Sequence, residues 1–143
     1  MLLRAPILSA FVLALAACNT SGTGPSMKWV SFANADLDQR DFSGQNLAGV
    51  NFGGAVADGA NFARANLEGA SFHSAFAEKT LFANANLRRA NFSNAHLVGT
   101  QFQGADLTGA ILDGARMEGA DFSAALWVDG KKVCKANSIG SCN

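Results

Sequence analysis

The 143-residue chain lacks most of what marks an enzyme or a nucleic-acid binder. It has no charge excess, since 11 Lys and Arg balance 11 Asp and Glu. That balance removes the basic surface that DNA or RNA requires, so no nucleic-acid partner is expected. Histidine is scarce, with only His73 and His96, and the serines are scattered with no base at a recognisable spacing. No phosphate-binding loop and no metal-ligand constellation is present, so neither a cofactor nor catalysis is expected. No apolar run reaches the roughly 20 residues that a membrane-spanning helix needs. Tyrosine is absent, proline occurs twice, and the three cysteines (Cys18, Cys134 and Cys142) leave an odd thiol to explain.

The longest apolar run, Ala5 to Ala17, follows Arg4 and is broken only by Pro6 and Ser9. A basic residue followed by an apolar core of this length reads as a signal peptide. The alternative, a buried N-terminal helix, has no helical partner downstream. The run ends in Leu15-Ala16-Ala17-Cys18, which resembles the lipobox of bacterial lipoproteins. The resemblance implies that Cys18 is lipidated, that residues 1–17 are removed, and that the new N-terminus carries acyl chains. A rival cleavage site of the A-x-A type lies at Ala14-Leu15-Ala16. Two or three acyl chains hold a protein firmly on a membrane, whereas one gives only marginal binding. Asn19 follows the cysteine in place of the Asp that signals inner-membrane retention, so resemblance to enterobacterial sorting implies the periplasmic side of the outer membrane. Residues 18–28 continue with small, polar, Gly- and Pro-containing sequence and read as a flexible tether of about 15 Å.

What the chain has in abundance is a period. Residues at a strict spacing of five run Phe32, Leu37, Phe42, Leu47, Phe52, Ala57 and Phe62, and the series continues to Trp127. Eighteen of these twenty positions are large and apolar; Ala stands two before in fourteen cases and Gly two after in ten. Five residues advance about 140° net around an α-helix, so no apolar stripe forms. Five is odd, so a long strand would alternate faces. A short period sustained over about a hundred residues signals a solenoid whose stacked coils share a core.

Grouping the series by twenty reveals the coil length. Phe32, Phe52, Phe72, Phe92 and Leu112 form one set; Phe42, Phe62, Phe82, Phe102 and Phe122 another; Leu47, Leu67, Leu87, Leu107 and Trp127 a third; Leu37, Ala57, Ala77, Leu97 and Met117 the fourth. Like stacks on like only if one coil takes twenty residues and has four sides. Five coils spaced about 4.8 Å apart give a rod roughly 25 Å long. The pattern over residues 32–127 resembles the pentapeptide-repeat family, A-(D/N)-L/F-x-x. That resemblance implies an all-β fold, a right-handed quadrilateral β-helix, here of about five coils over residues 29–128. It implies little about function, because one fold hosts many roles.

Ala57 and Ala77 interrupt the large residues, and each follows an apolar residue, Val56 or Phe76, at a normally outward position. Inward filling by Val56 and Phe76 is the favoured expectation; pointing outward, they would form a contact patch with Leu81. Trp29 and Val30 are expected to close the first coil. Residues 129–143 break the period and form a C-terminal cap, with Trp127 and Val128 closing the stack and Asp129-Gly130 turning the chain. In an exported protein Cys134 and Cys142 are expected to form one disulfide. The alternatives are free thiols in a cytosolic protein or, more weakly, a zinc site without a nearby histidine.

His73, His96, the Asp36–Asp38–Asp41 group and the Arg64, Arg88, Arg89 spot all read as solvated surface rather than as catalytic, cation-binding or ligand sites. Three functions compete. The first is a rigid structural or protein-interaction module held on a membrane through Cys18, with an unidentified protein or envelope partner. The second is a DNA-mimicking topoisomerase binder, which the family also includes. Residues 32–127 carry ten acids and six bases, a weak net of −4, and the export signal leads away from topoisomerases. The third is an exported enzyme with an unrecognised site.

Overall fold

A computed structural model describes residues 30–143; the signal-like segment, Cys18, the tether and Trp29 lie outside the described residues. Each five-residue unit builds one side of a square, and Asn61-Phe62-Ala63-Arg64-Ala65 shows how. Asn61 pairs with the neighbouring coils and points outward, Phe62 points inward, Ala63 and Arg64 turn the corner, and Ala65 is buried there. The Ala65 amide donates to the Phe62 carbonyl at 3.0 Å, and Arg64 has φ +60°. A closed four-residue turn with positive φ at its third residue is the signature of a type II turn.

This geometry explains the glycines. Nineteen consecutive corners, residues 34 to 124 at intervals of five, hold a left-handed residue with φ between 54° and 72°. Glycine adopts that conformation without steric cost, and it occupies ten of the nineteen. Asn34, Asn84 and Asn94 take others, and Asn tolerates the same region. The remaining corners donate their amides to the next coil, as Arg64 does to Ala83 at 2.9 Å, or, at Ala124, to Cys134 of the cap at 3.0 Å.

Coils stack through parallel bridges between residues twenty apart, running from Ser31↔Asn51 to Asp106↔Leu126. The Phe62 amide donates to the Leu81 carbonyl at 2.7 Å, and the Leu81 amide donates back to Ala60 at 2.9 Å. The coils therefore span 31–50, 51–70, 71–90, 91–110 and 111–130, and the fold is a right-handed quadrilateral β-helix. We number the sides by their first outward residues: side one begins at Ser31, side two at Asp36, side three at Asp41 and side four at Asn46.

The interior is two opposed phenylalanine columns. Phe42, Phe62, Phe82, Phe102 and Phe122 stack at 4.9–5.3 Å, and Phe52, Phe72 and Phe92 at 4.7–5.0 Å. Across the axis the rings meet edge to face, as at Phe62–Phe72 (5.6 Å, 89°). Both arrangements are favourable for aromatic quadrupoles. Leu47, Leu67, Leu87 and Leu107 fill side four and Leu37, Ala57, Ala77 and Leu97 side two, while Phe32 at the first coil is half-buried. Outward Asn and Asp side chains brace the corners: Asn61 Oδ1 accepts the Ala63 amide at 3.0 Å, and Asp121 Oδ1 the Ser123 amide at 2.9 Å. On side four the asparagines also form a ladder, Asn86 donating to Asn66 and Asn66 to Asn46, each at 3.0 Å.

The last coil ends in a cap. Gly130, φ +68°, turns the chain, and the segment beyond runs back antiparallel over sides four and three, pairing Leu126 with Val133 and Asp121 with Ile139. The ring of Trp127 lies edge-on to Phe122 at 5.2 Å. The sulfurs of Cys134 and Cys142 are bonded at 2.05 Å, closing the cap on itself.

Candidate interaction surface

The interior is filled by side chains, so chemistry is confined to the outside of the rod and the cap. Val56 and Phe76 do not turn inward to fill the space left by Ala57 and Ala77. Phe76 is 43% exposed, Val56 is half-exposed, and the two pair with each other on side two. Pleating dictates this: with Ala77 inward, its neighbour must face out. Thr80 and Thr100 serve the interior beside the small pair. They are fully buried where coils two and five carry Ala60 and Ala120, and their hydroxyls donate to the Ala57 and Ala77 carbonyls at 2.7 Å. The sequence signal for them is Thr in place of Ala near the alanine pair. Leu81 stands one side over, half-buried between Asn61 and Gln101 on side three.

The histidines both lie on the surface. His96 sits above Phe76 with the rings 4.7 Å apart and tilted by 38°. His73 meets the hydroxyls of Ser93 at 2.8 Å and Ser74 at 3.2 Å in the open. Asp36 and Asp41 accept local turn amides on separate sides, and Asp38 accepts the Asp58 amide at 3.1 Å. Among the described residues no group of three or more His, Cys, Asp or Glu is placed to hold a metal ion. Arg88 reaches Asp106 at 3.2 Å and Arg89 reaches Glu68 at 3.6 Å, so the basic spot is largely paired.

Four carboxyls are held below the usual range, and at the exposed Asp129 the Lys132 and Lys131 amides are the main cause. At Asp41 the Ser43 amide is the main cause, with the Ser43 hydroxyl beside it. At Asp121 the Ser123 hydroxyl dominates, and it outweighs the opposing effect of burial. At Asp106 burial is the largest influence and pushes upward, but Thr108 and Arg88 together more than reverse it. A carboxyl with a depressed folded pKa stabilises the fold above its unfolded value, near 4, and loses that contribution as pH falls through the folded value. Thermal melting is therefore expected to hold level above about pH 5 and to drop below about pH 4. Asp121→Asn should flatten part of the drop, and an identical acid profile in that variant would remove the assignment.

The comparisons agree with this geometry. The profile described as "Pentapeptide repeat region" matches residues 25–102, more than half of the chain, and "Pentapeptide repeats" matches eight copies over residues 85–123. The chain is a pentapeptide repeat protein. Among solved structures, a pentapeptide repeat protein from the Arabidopsis thaliana thylakoid lumen is 33% identical. The alignment covers 80% of this chain and 87% of that one, with a TM-score of 0.59. The pentapeptide repeat protein Rfr23 from the cyanobacterium Cyanothece 51142 is 24% identical over 66% of this chain and 71% of its own, with a TM-score of 0.45. No curated protein sequence matches the chain significantly. The repeat family is a structural fold, so what this pentapeptide rod binds must be argued from its own surface.

Proposed function

We propose that this pentapeptide repeat protein is a non-enzymatic, lipid-anchored module on the periplasmic side of the bacterial outer membrane, acting as a rigid structural or protein-interaction element. The observation that carries the reading is Leu15-Ala16-Ala17-Cys18, followed by a short polar stretch and then the rod. The filled interior supports it from the other end: a rod packed with Phe and Leu offers surfaces rather than a pocket. The disulfide-bonded cap fits an oxidising compartment. The topoisomerase-mimic alternative is disfavoured by the weak charge and by the signal-like start.

Intact-mass measurement on the membrane fraction tests the anchor. The expected species begins at Cys18 and carries two or three acyl chains, and Cys18→Ala should move the protein into the soluble fraction. An unlipidated chain of full length in the cytosol would contradict both anchor and address. An unlipidated chain cut after Ala16 would sink the anchor alone.

A further inference from the structure

Side two combines two features that stand open on the surface. The first is apolar. Phe76 projects from a bridge position with Val56 on one coil and His96 on the next, so the three form one continuous column. Flanking outward positions on the other sides are mostly Asn, Ser, Gln or Asp. The second is acidic. Two residues further along each coil, at the turn, Asp38, Asp58 and Glu78 stack in register, about 6–7 Å of chain from the apolar column.

The acidic column is ordered by the backbone. Asp38 Oδ1 accepts the Asp58 amide at 3.1 Å, and Asp58 Oδ1 accepts the Glu78 amide at 2.7 Å. None of the three carboxylates enters an ion pair among the described residues, although Lys79 lines the same open cleft with Gln39 and Gly59. The corner diagonally opposite differs: there Arg88 and Arg89 are matched by Asp106 and Glu68. Three carboxylates against one Lys thus leave net negative charge beside the exposed aromatic column.

We propose that side two docks a cationic segment of another protein that carries an apolar anchor. The anchor seats on Phe76 and Val56, and its Lys or Arg side chains meet Asp38, Asp58 and Glu78. This proposal rests on the interaction-module reading and specifies the partner's chemistry. Aromatic anchors in an apolar centre supply most of the energy of such contacts. Complementary charge at the margin sets partner choice and association rate. The same negative charge repels nucleic acid and anionic lipid surfaces.

The test uses the mature protein and three fluorescent heptapeptides. One has a Leu-Trp-Leu centre flanked by Lys pairs, the second the same centre flanked by Glu pairs, and the third a Ser-Gly-Ser centre flanked by Lys pairs. The Lys-flanked apolar peptide is expected to bind at least about tenfold more tightly than either twin at low salt. Phe76→Ser should weaken it by about tenfold or more. Asp58→Asn with Glu78→Gln should weaken it several-fold, and raised salt should erase that difference. Equal binding of the Lys- and Glu-flanked peptides, both lost with Phe76→Ser, would overturn the cationic partner while leaving the interaction module standing. Binding indifferent to Phe76→Ser, or none below roughly 1 mM, would overturn the docking site. Self-association abolished by Phe76→Ser in sedimentation would replace the proposed partner with a second copy of the chain.

Discussion

Phe72→Ala is expected to lower the unfolding free energy by about 3–5 kcal/mol, while Phe76→Ala should change it by less than about 1 kcal/mol. The residues are identical in type and four apart, so composition cannot distinguish them. Phe72 is fully buried, stacked between Phe52 at 4.7 Å and Phe92 at 5.0 Å. It also receives Phe62 and Phe82 edge-on at 5.6 and 5.4 Å. Truncating it opens a cavity on the axis of the third coil, where both columns and the leucines converge. A solenoid holds each coil only through its neighbours, so the loss falls on the two interfaces that coil three makes, with coil two and with coil four. Denaturant unfolding measures the free energy, and amide exchange should show the greatest loss of protection over residues 51–110. Phe76 lies against His96 on the outside and leaves no void when shortened. Similar losses for both variants would mean that the inward series has been misassigned.

Replacing Cys134 and Cys142 together by Ser is expected to cost about 2–3 kcal/mol, the loop-closure value for a bridge across so short a segment. The cysteines are eight residues apart, and the segment between them lies on the last coil. The amides of Phe122, Ala124 and Trp127 donate to Ser138, Cys134 and Lys132 at 2.8–3.0 Å, so the cap satisfies edge groups that would otherwise face water. An unprotected edge is also a template for pairing with another chain. The double variant should therefore melt lower, exchange its cap amides first and aggregate sooner; added reductant should reproduce all three effects. An unchanged melting temperature would show that the backbone hydrogen bonds and packing hold the cap without the bridge.

The inward columns were legible because Phe and Leu alternate without a frame shift from Phe32 onward, and only a twenty-residue coil stacks like on like. The Asn and Asp before the inward residues brace the turns, as at Asn61 and Asp121. The requirement for a left-handed corner was only half legible. Gly44 or Gly104 announces it, but Arg64, Lys79 and Ala124 adopt the same conformation without any local preference for it. They are held by hydrogen bonds to the adjoining coil or, at Ala124, to the cap, and a one-dimensional reading contains neither. The outward course of Val56 and Phe76 departs from the expected inward filling for a related reason. In one dimension the shortage of volume at Ala57 and Ala77 falls on their own neighbours in sequence. The structure meets it from Thr80 and Thr100, whose carbonyl acceptors lie 23 residues away in the chain.

The central claim is that one turn of the rod consumes twenty residues, and register-specific crosslinking tests it most directly. Paired cysteines would be introduced at Asn61 with Leu81, with Phe76 or with Asn86, in the mature protein lacking Cys18. Asn61 and Leu81 form a parallel bridge, which puts their Cα atoms within disulfide reach. Rapid oxidation confined to the Asn61→Cys, Leu81→Cys pair is the predicted result. Equal or faster oxidation at a separation of fifteen or twenty-five residues would contradict the four-sided coil and everything built on it.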